Sequence, residues 1–237
     1  MPDIRKVDGL IFEFESQIEA WRVETLLTKE EGTIRWLQRR CEPGSVVWDI
    51  GANIGLYTLY AAKRGAVVFA FEPHAANTAN LLRNIAHNGF NDVTVVASPL
   101  HSTPGSAVFY YRSLESGSSG SQLGHDGVQV ARQLVEATTL DRLYEAGLIQ
   151  APTLVKIDVD GNEFEILKGM EHVLSQAPPW SLQVEINADT AQEIREYLRT
   201  YGFEMVERHD TMFGAAQLKK GTPAEQVVHN EIFERRA

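Results

Sequence analysis

Short apolar runs alternate with segments of helical periodicity between residues 46 and 201, and this alternation constrains the fold more than any other feature. Parallel neighbouring strands need a crossover connection, so strands linked by helices in this order are typical of a parallel sheet with helices on both faces. The predicted strands are Val46–Ile50, Val67–Phe71, Val93–Ala97, Leu154–Val159 and Ser181–Ile186, and the predicted helices are Leu56–Lys63, Ala75–His87, Glu163–Leu174 and Ala191–Tyr201.

The pattern changes at both ends and in the middle of the chain. Residues 1–40 are predicted as a polar, helical and extended lead-in to a domain spanning 41–237, and an insertion around 98–150 contains two hairpin arms, Ala107–Tyr111 and Val128–Leu134. Two late segments, Phe203–Glu207 and Met212–Leu218, are predicted as an antiparallel pair at the sheet edge. The expected fold is therefore α/β, with a seven-stranded, mostly parallel sheet and an antiparallel last strand.

Composition excludes several classes of protein. The 237 residues include 22 basic and 32 acidic side chains, and the formal net charge of −10 disfavours a nucleic-acid partner held by phosphate contacts. A single cysteine, Cys41, rules out an internal disulfide. The N-terminus lacks the apolar core of a signal peptide, and no run of about eighteen apolar residues is present. We expect a cytoplasmic protein without a membrane span.

A glycine turn follows the first strand of the alternation. Ligands of such sheets bind beyond the carboxyl ends of the strands, where Gly51 and Gly55 allow the backbone of the loop, with Ala52 and Asn53, to approach them closely. The loop lacks the middle glycine of the dinucleotide fingerprint, and Asp49 would repel a pyrophosphate. S-adenosylmethionine has no phosphate but has an amino group and a positive sulfonium, so we expect it as the cofactor, with Asp49 as a direct or water-bridged partner.

The second strand ends in another acid, Glu72. A carboxylate at this position accepts hydrogen bonds from both hydroxyls of a ribose, and Pro73 fixes the turn that aims it. An NAD-dependent oxidoreductase also binds a ribose, so Glu72 alone does not discriminate between the two cofactors.

Charged side chains at the ends of two later strands are the candidates for chemistry. On an extended strand Lys156, Asp158 and Asp160 share one face, and a buried Asp158 with a raised pKa is a candidate general base. Glu185 is expected at the acceptor side. A purely structural ion pair of Lys156 and Asp158 remains open. The histidines show no metal-binding spacing, so we expect no metal site.

Several of these segments resemble the FkbM-type methyltransferases, a branch of the class I S-adenosylmethionine-dependent superfamily. The similar strings are VWDIGANIGLYTLYAA, FAFEPHAANTANLLRNIAHNG, TLVKIDVDGNEFEILKGM and LQVEIN, which lie between about residues 40 and 190. The resemblance implies a Rossmann-like class I methyltransferase fold and methyl transfer to a hydroxyl of a sugar or secondary metabolite. Asp160 replaces the family's usual glutamate. The acid that the resemblance leads us to expect at the adenine amino group is missing after the third strand, and Ser98 is its expected substitute.

Three alternatives stay open at this point: an N-methyltransferase on a protein or small-molecule amine, an oxidoreductase, and a non-catalytic nucleoside-binding module. Acceptor contacts are expected from residues 1–40 and 98–150, where no motif identifies the acceptor. The loop Ser116–Ser121 is a candidate lid, because serine and glycine allow movement, with a hairpin tip as the simpler interpretation. The lead-in is a candidate homodimer contact.

Overall fold

The computed structural model describes residues 2–124, 128–175 and 181–235. In these ranges the strands are β1 Asp3–Val7, β2 Leu10–Phe14, β3 Val46–Ile50, β4 Val67–Phe71, β5 Val93–Val96, β6 Gly105–Tyr111, β7 Gln122–Leu123, β8 Ala131–Ala137, β9 Leu154–Ile157, β10 Ser181–Ile186, β11 Phe203–Asp210 and β12 His229–Arg235. The helices are α1 Gln17–Glu24, α2 Glu31–Arg40, α3 Leu56–Lys63, α4 Ala75–Asn88, α5 Leu140–Glu145, α6 Glu163–Lys168, α7 Glu171–Leu174, α8 Ala191–Thr200 and α9 Met212–Lys219.

A seven-stranded sheet of order β11-β12-β10-β9-β3-β4-β5 forms the centre of the fold. Strands β3, β4, β5, β9 and β10 pair in parallel, and β12 is antiparallel to both of its neighbours. This confirms the predicted mostly parallel sheet with an antiparallel last strand. From β3 the chain runs outward to β5, then returns to add β9 and β10 on the other side. The order therefore reverses beside β3, which creates a crevice at the carboxyl ends of β3 and β9.

The core lies on both faces of this sheet. Every residue of β3 is buried, and successive side chains enter opposite layers: Val47 packs with one cluster, Trp48 and Ile50 with the other. A strand buried on both faces has no solvent side, which explains why the residues of β3 other than Asp49 are apolar.

The prediction of a polar N-terminal lead-in is wrong for much of that segment. Leu10 and Phe12 on β2 are buried, and Trp36 on α2 is fully buried with its Nε1 donating to Ser181 Oγ at 2.9 Å. Strand β2 pairs with β1 and lies against α4, where Asn84 Oδ1 accepts from the backbone N–H of Glu13 at 2.8 Å. Its alternating pattern is that of a strand with one face in the core.

Three element predictions need correction. Met212–Leu218 is helical, not a strand: Thr211 caps α9 by accepting from the N–H of Gly214 at 3.0 Å, and the last strand is β12. The predicted helix Glu163–Leu174 is divided into α6 and α7 at Gly169, where an added Cβ would lie 2.3 Å from His101 O. The predicted arm Val128–Leu134 is shifted to β8, which pairs with β6.

Among the described helices, none has the length and apolarity needed to cross a bilayer.

Candidate functional site

A cavity of about 990 Å³ opens at the carboxyl ends of β3, β4, β9 and β10. Of the residues singled out from the sequence, those in its wall are Gly51, Asn53, Glu72, Pro73, Ser98, Asp158 and Glu185. The others, Asp49, Ala52, Gly55 and Lys156, are buried behind the wall. The crevice that the strand order creates is therefore a cavity of ligand size.

The glycine turn is pressed against the end of β9. Gly51 has φ +83°, and a Cβ at this position would lie 1.9 Å from the carbonyl oxygen of Asp158. The amides of Gly51 and Ala52 both donate to Phe71 O, at 3.0 and 3.1 Å. Gly55, with φ +93°, faces the core instead, where a Cβ would lie 2.4 Å from Leu81 Cδ1. Gly51 thus shapes the cavity, while Gly55 allows α3 to pack against α4.

Glu72 is a buried carboxylate in the cavity wall. Its Oε2 accepts from the backbone N–H of Asn53 at 2.8 Å and its Oε1 from that of His74 at 2.9 Å. Burial raises the pKa of Glu72 to about 7, and these two N–H donors offset only part of that effect. Each oxygen keeps a lone pair beyond these bonds. The group is oriented to accept further hydrogen bonds from a ligand.

The loop Ser116–Ser121 lies over the same end of the cavity. The carbonyl of Ser118 accepts from the side-chain amides of Asn53 at 3.0 Å and Asn77 at 3.2 Å. The N–H of Gly117 donates to Asn77 Oδ1 at 2.7 Å. Gly117 and Ser118 contribute to the cavity wall, so the loop covers the part of the cavity next to Glu72.

Lys156 forms a buried ion cluster with two carboxylates. Its Nζ lies 3.0 Å from Asp158 Oδ2 and 3.4 Å from Asp49 Oδ1, and Asp49 Oδ2 accepts from Thr58 Oγ1 at 2.6 Å. Burial lowers the pKa of Lys156, but the carboxylates, Asp158 first, outweigh it and raise the pKa above its ordinary value. Lys156 is therefore a cation. Asp49 holds this cation and the start of α3 rather than facing the cavity.

The expectation of a raised pKa at Asp158 is wrong. Burial alone would raise it, but the ammonium of Lys156 lowers the pKa of Asp158 below its ordinary value. Asp158 is an ionised part of the cavity wall, and its low proton affinity makes it a weak base. Of the three residues predicted to share a face, Lys156 and Asp158 lie together and pair at 3.0 Å. Asp160 departs from the prediction, because β9 ends at Ile157; Asp160 is exposed and accepts from the N–H of Gly120 in the covering loop.

Glu185 lies near the carboxyl end of β10 and is half-buried. Burial, and then the negative charges of Asp158 and Glu163, raise the pKa of Glu185 to about 10. The side chain is therefore protonated at neutral pH when the cavity holds no ligand. A positive charge in the cavity would lower this pKa.

Part of the cavity wall comes from residues that the sequence did not single out. Trp21 of α1 and Phe213 of α9 are in contact, with ring centroids 5.9 Å apart, and both line the cavity together with Arg22 and Lys29. Residues 1–40 were expected to contribute in general terms. The α9 wall was missed because its segment was predicted as a strand, although Thr211 provides a capping signal.

Comparison with known proteins identifies relatives of the chain. A family model described as the methyltransferase FkbM domain matches residues 49–205. The hexuronic acid methyltransferase AglP of Haloferax volcanii is 31% identical over 175 residues, which are 73% of this chain and 70% of that protein. The 31-O-demethyl-FK506 methyltransferase FkbM of Streptomyces tacrolimicus is 27% identical over 213 residues, covering 74% of this chain and 79% of that protein.

Two solved structures with similar folds are methyltransferases of low sequence identity to this chain. M. jannaschii TYW2 in complex with AdoMet has a TM-score of 0.52 at 15% identity, covering all of this chain and 87% of that one. Magnesium protoporphyrin IX methyltransferase from Synechocystis PCC 6803 with bound SAM has a TM-score of 0.52 at 14% identity, covering 94% and 85%. These similarities establish the class I methyltransferase fold of this chain.

Proposed function

The chain belongs to the FkbM methyltransferase family, and from this premise we propose that it transfers a methyl group from S-adenosylmethionine to a hydroxyl of a sugar or secondary metabolite. The observation that carries the proposal is that one cavity wall holds both the ionised Asp158, which suits a cationic ligand, and the buried carboxylate of Glu72 beside the Gly51 turn. A carboxylate in this position suits the two hydroxyls of a ribose.

The residues of the cavity fit the proposed cofactor. S-adenosylmethionine, when bound, supplies a methyl group on a positively charged sulfur. We assign the ribose to Glu72, the amino group to the ionised Asp158 and the adenine side to Ser98 and Pro73. Gly51 and Asn53 form the close backbone wall, and Asp49 acts from behind it by holding Lys156. The ionised Asp158 makes its part of the wall anionic, which suits a cationic ligand.

The proton of the acceptor hydroxyl needs a base as the new O–C bond forms and the C–S bond breaks. We assign this role to Glu185, because a carboxyl group with a raised pKa holds a proton more strongly than the ionised Asp158 does. A cation in the cavity favours the carboxylate form of Glu185, which then accepts the proton. Lys156 positions Asp158 and does not contact the acceptor in this assignment.

The acceptor class is supported by two observations. The relatives include a methyltransferase for a hexuronic acid and one for a demethylated FK506. The Trp21–Phe213 pair offers an aromatic wall against which the apolar face of a ring can pack. Both are consistent with a cyclic, hydroxyl-bearing acceptor, whereas neither favours an amine.

Calorimetric titration with S-adenosylmethionine tests the cofactor assignment, with NADH as the control ligand. We expect saturable binding to the wild type and a loss of at least about tenfold in affinity for Glu72→Ala, the equivalent of one hydrogen bond to a charged group. Incubation with methyl-labelled cofactor and a panel of sugars, polyketide alcohols and amines then tests the reaction. Label in a methyl ether supports the proposal. Label in an amine, binding of NADH in place of S-adenosylmethionine, or cofactor binding without label transfer to any hydroxyl contradicts it.

A further inference from the structure

Arg22 is a half-buried cation in the cavity wall. It lies on α1 next to Trp21. Its Nε donates to Gly117 O at 2.5 Å, and its Nη2 lies 3.5 Å from Ser119 Oγ. Within residues 2–124, 128–175 and 181–235, no carboxylate oxygen lies within 4.0 Å of its guanidinium nitrogens. A partly buried charge without a counter-ion is costly, which is a reason to look for a ligand that provides one.

The other cations near the cavity differ from Arg22. Lys29 Nζ lies 2.8 Å from Glu30 Oε1, so its charge already has a partner. Lys156 is held by two carboxylates behind the wall. Arg112 lies at an exposed position of the covering hairpin, where water screens its charge. Arg22 therefore combines partial burial with a charge that no acid of the described chain neutralises at short range.

We propose that Arg22 is a specificity-determining residue that binds a carboxylate of the ligand in the cavity. A guanidinium has five N–H donors in a planar fork that matches a carboxylate, and in the described chain two of them have partners. The inference rests on the proposed function, because that function supplies two carboxylate sources: the amino-acid end of the cofactor, and an acidic sugar as acceptor.

The charges of the surrounding wall make such a residue necessary for an anionic group. Asp158, Asp160 and Glu72 also line the cavity, and their charges would repel a carboxylate that entered unpaired. The field of Arg22 reaches this region, since Arg22 is among the cations that lower the pKa of Asp158 against the opposing effect of burial. The positive charge of Arg22 therefore offsets the repulsion that a carboxylate would meet elsewhere in this wall.

Matched ligands with and without a carboxylate test the proposal. In the cofactor arm, affinities for S-adenosylmethionine and its decarboxylated form are measured for wild type, Arg22→Gln and Arg22→Lys. In the acceptor arm, p-nitrophenyl β-D-glucuronide is compared with its neutral glucuronamide and glucoside in the presence of S-adenosylhomocysteine. In one of the two arms, we expect Arg22→Gln to lower the affinity for the ligand with a carboxylate about 10- to 100-fold, which is the effect of losing hydrogen bonds to a charged group. The affinity for the neutral ligand of the same arm should fall less than about threefold.

A lid-holding role of Arg22 would give a different result, because Arg22 also binds Gly117 in the covering loop. Asn77→Ala loosens the same loop without removing a charge, and we expect it to weaken both members of each ligand pair equally. Arg22→Lys is expected to recover part of the carboxylate preference. The arm in which the preference disappears identifies the source of the carboxylate.

The proposal is overturned if Arg22→Gln changes the affinity for both members of each pair equally or for neither. It is also overturned if Asn77→Ala removes the preference as strongly. A wild type that transfers no methyl group to any sugar counts against the sugar acceptor of the proposed function, whereas the cofactor arm still decides the role of Arg22. The two failures are therefore distinguishable.

Discussion

The ammonium of Lys156 lies 3.0 Å from Asp158 Oδ2, and this pair sets the charge of the cavity wall. Lys156 stands opposite Asp49 in the register of β9 and β3, so the two strands deliver both carboxylates to one buried cation. Because the cation keeps Asp158 ionised, Asp158 is suited to hold a positively charged ligand group rather than to remove a proton.

Replacing this buried cation should be costly. Lys156→Met leaves Asp49 and Asp158 without their partner, and we expect a loss of about 3–5 kcal/mol in the free energy of unfolding. Adding Asp158→Asn should recover part of the loss, because one buried charge is removed. Lys168, in a half-exposed pair with Glu165, is the matched control, and Lys168→Met should cost less than about 1 kcal/mol. Urea unfolding measures all four proteins, and equal costs at the two lysines would contradict the buried-pair account.

Gly51 and Gly44 allow a test of the close approach at the cavity. Both have positive φ, +83° and +86°, but an added Cβ meets Asp158 O at 1.9 Å at Gly51 and has nothing within 4 Å at Gly44. Gly44→Ala should therefore show only the backbone cost of about 1–2 kcal/mol. Gly51→Ala must also displace the end of β9, so it should lower both the melting temperature and the affinity for S-adenosylmethionine. Equal behaviour of the two variants would indicate that the contact with Asp158 has no role.

The sequence predicts the centre of the sheet well and its surroundings poorly. Strands β3 and β4 have the predicted bounds, Val46–Ile50 and Val67–Phe71, because each is a buried apolar run that ends at a glycine or proline turn. The segment Met212–Leu218 was assigned to the wrong class, since periodicity does not separate a short apolar helix from a strand.

The candidate site likewise contains residues that the sequence predicts and residues that it misses. Residues at strand ends, such as Glu72 and Asp158, were found because parallel strands bring their carboxyl ends together. The ionisation of Asp158 was left open by the sequence, which allowed either a general base or an ion pair with Lys156; the folded sheet favours the ion pair by placing Lys156 between two carboxylates. Trp21 and Phe213 are distant in sequence and meet only through the packing of α1 and α9 beside the sheet.

Cofactor binding should depend on pH through Glu72. Its pKa is raised to about 7 by burial, so below that pH the group is neutral in the ligand-free protein. The carboxylate form accepts hydrogen bonds from both ribose hydroxyls, and affinity should therefore rise with pH up to about 7.5 and fall by up to about tenfold per unit well below 7. Calorimetry between pH 5.5 and about 8.5 measures this dependence. Glu72→Gln should bind S-adenosylmethionine weakly, and its affinity should change less with pH. If the affinity of this variant depends on pH as steeply as that of the wild type, the titrating group is not Glu72.

Glu185 should make the folded protein less stable at high pH. Its folded pKa, about 10, exceeds the ordinary value of 4.5, so the native state binds its proton more tightly than the unfolded chain does. The free energy of unfolding then declines as pH rises from about 4.5 towards 10. Glu185→Gln has no group that titrates, so it does not lose this stability. We expect wild type and variant to have similar melting temperatures at pH 5. At pH 9 the variant should melt about 2–6 °C higher, which corresponds to roughly 1–2 kcal/mol after allowance for solvent screening.

Activity separates this stability effect from the proposed role of Glu185 as the base. Glu185→Gln cannot accept the hydroxyl proton, so its kcat should fall about 10²- to 10⁴-fold. Asp189 is an exposed acid three residues beyond β10, and Asp189→Asn should leave both kcat and the pH dependence of melting unchanged. If Glu185→Gln is stabilised at pH 9 yet keeps its kcat, burial of Glu185 is purely structural.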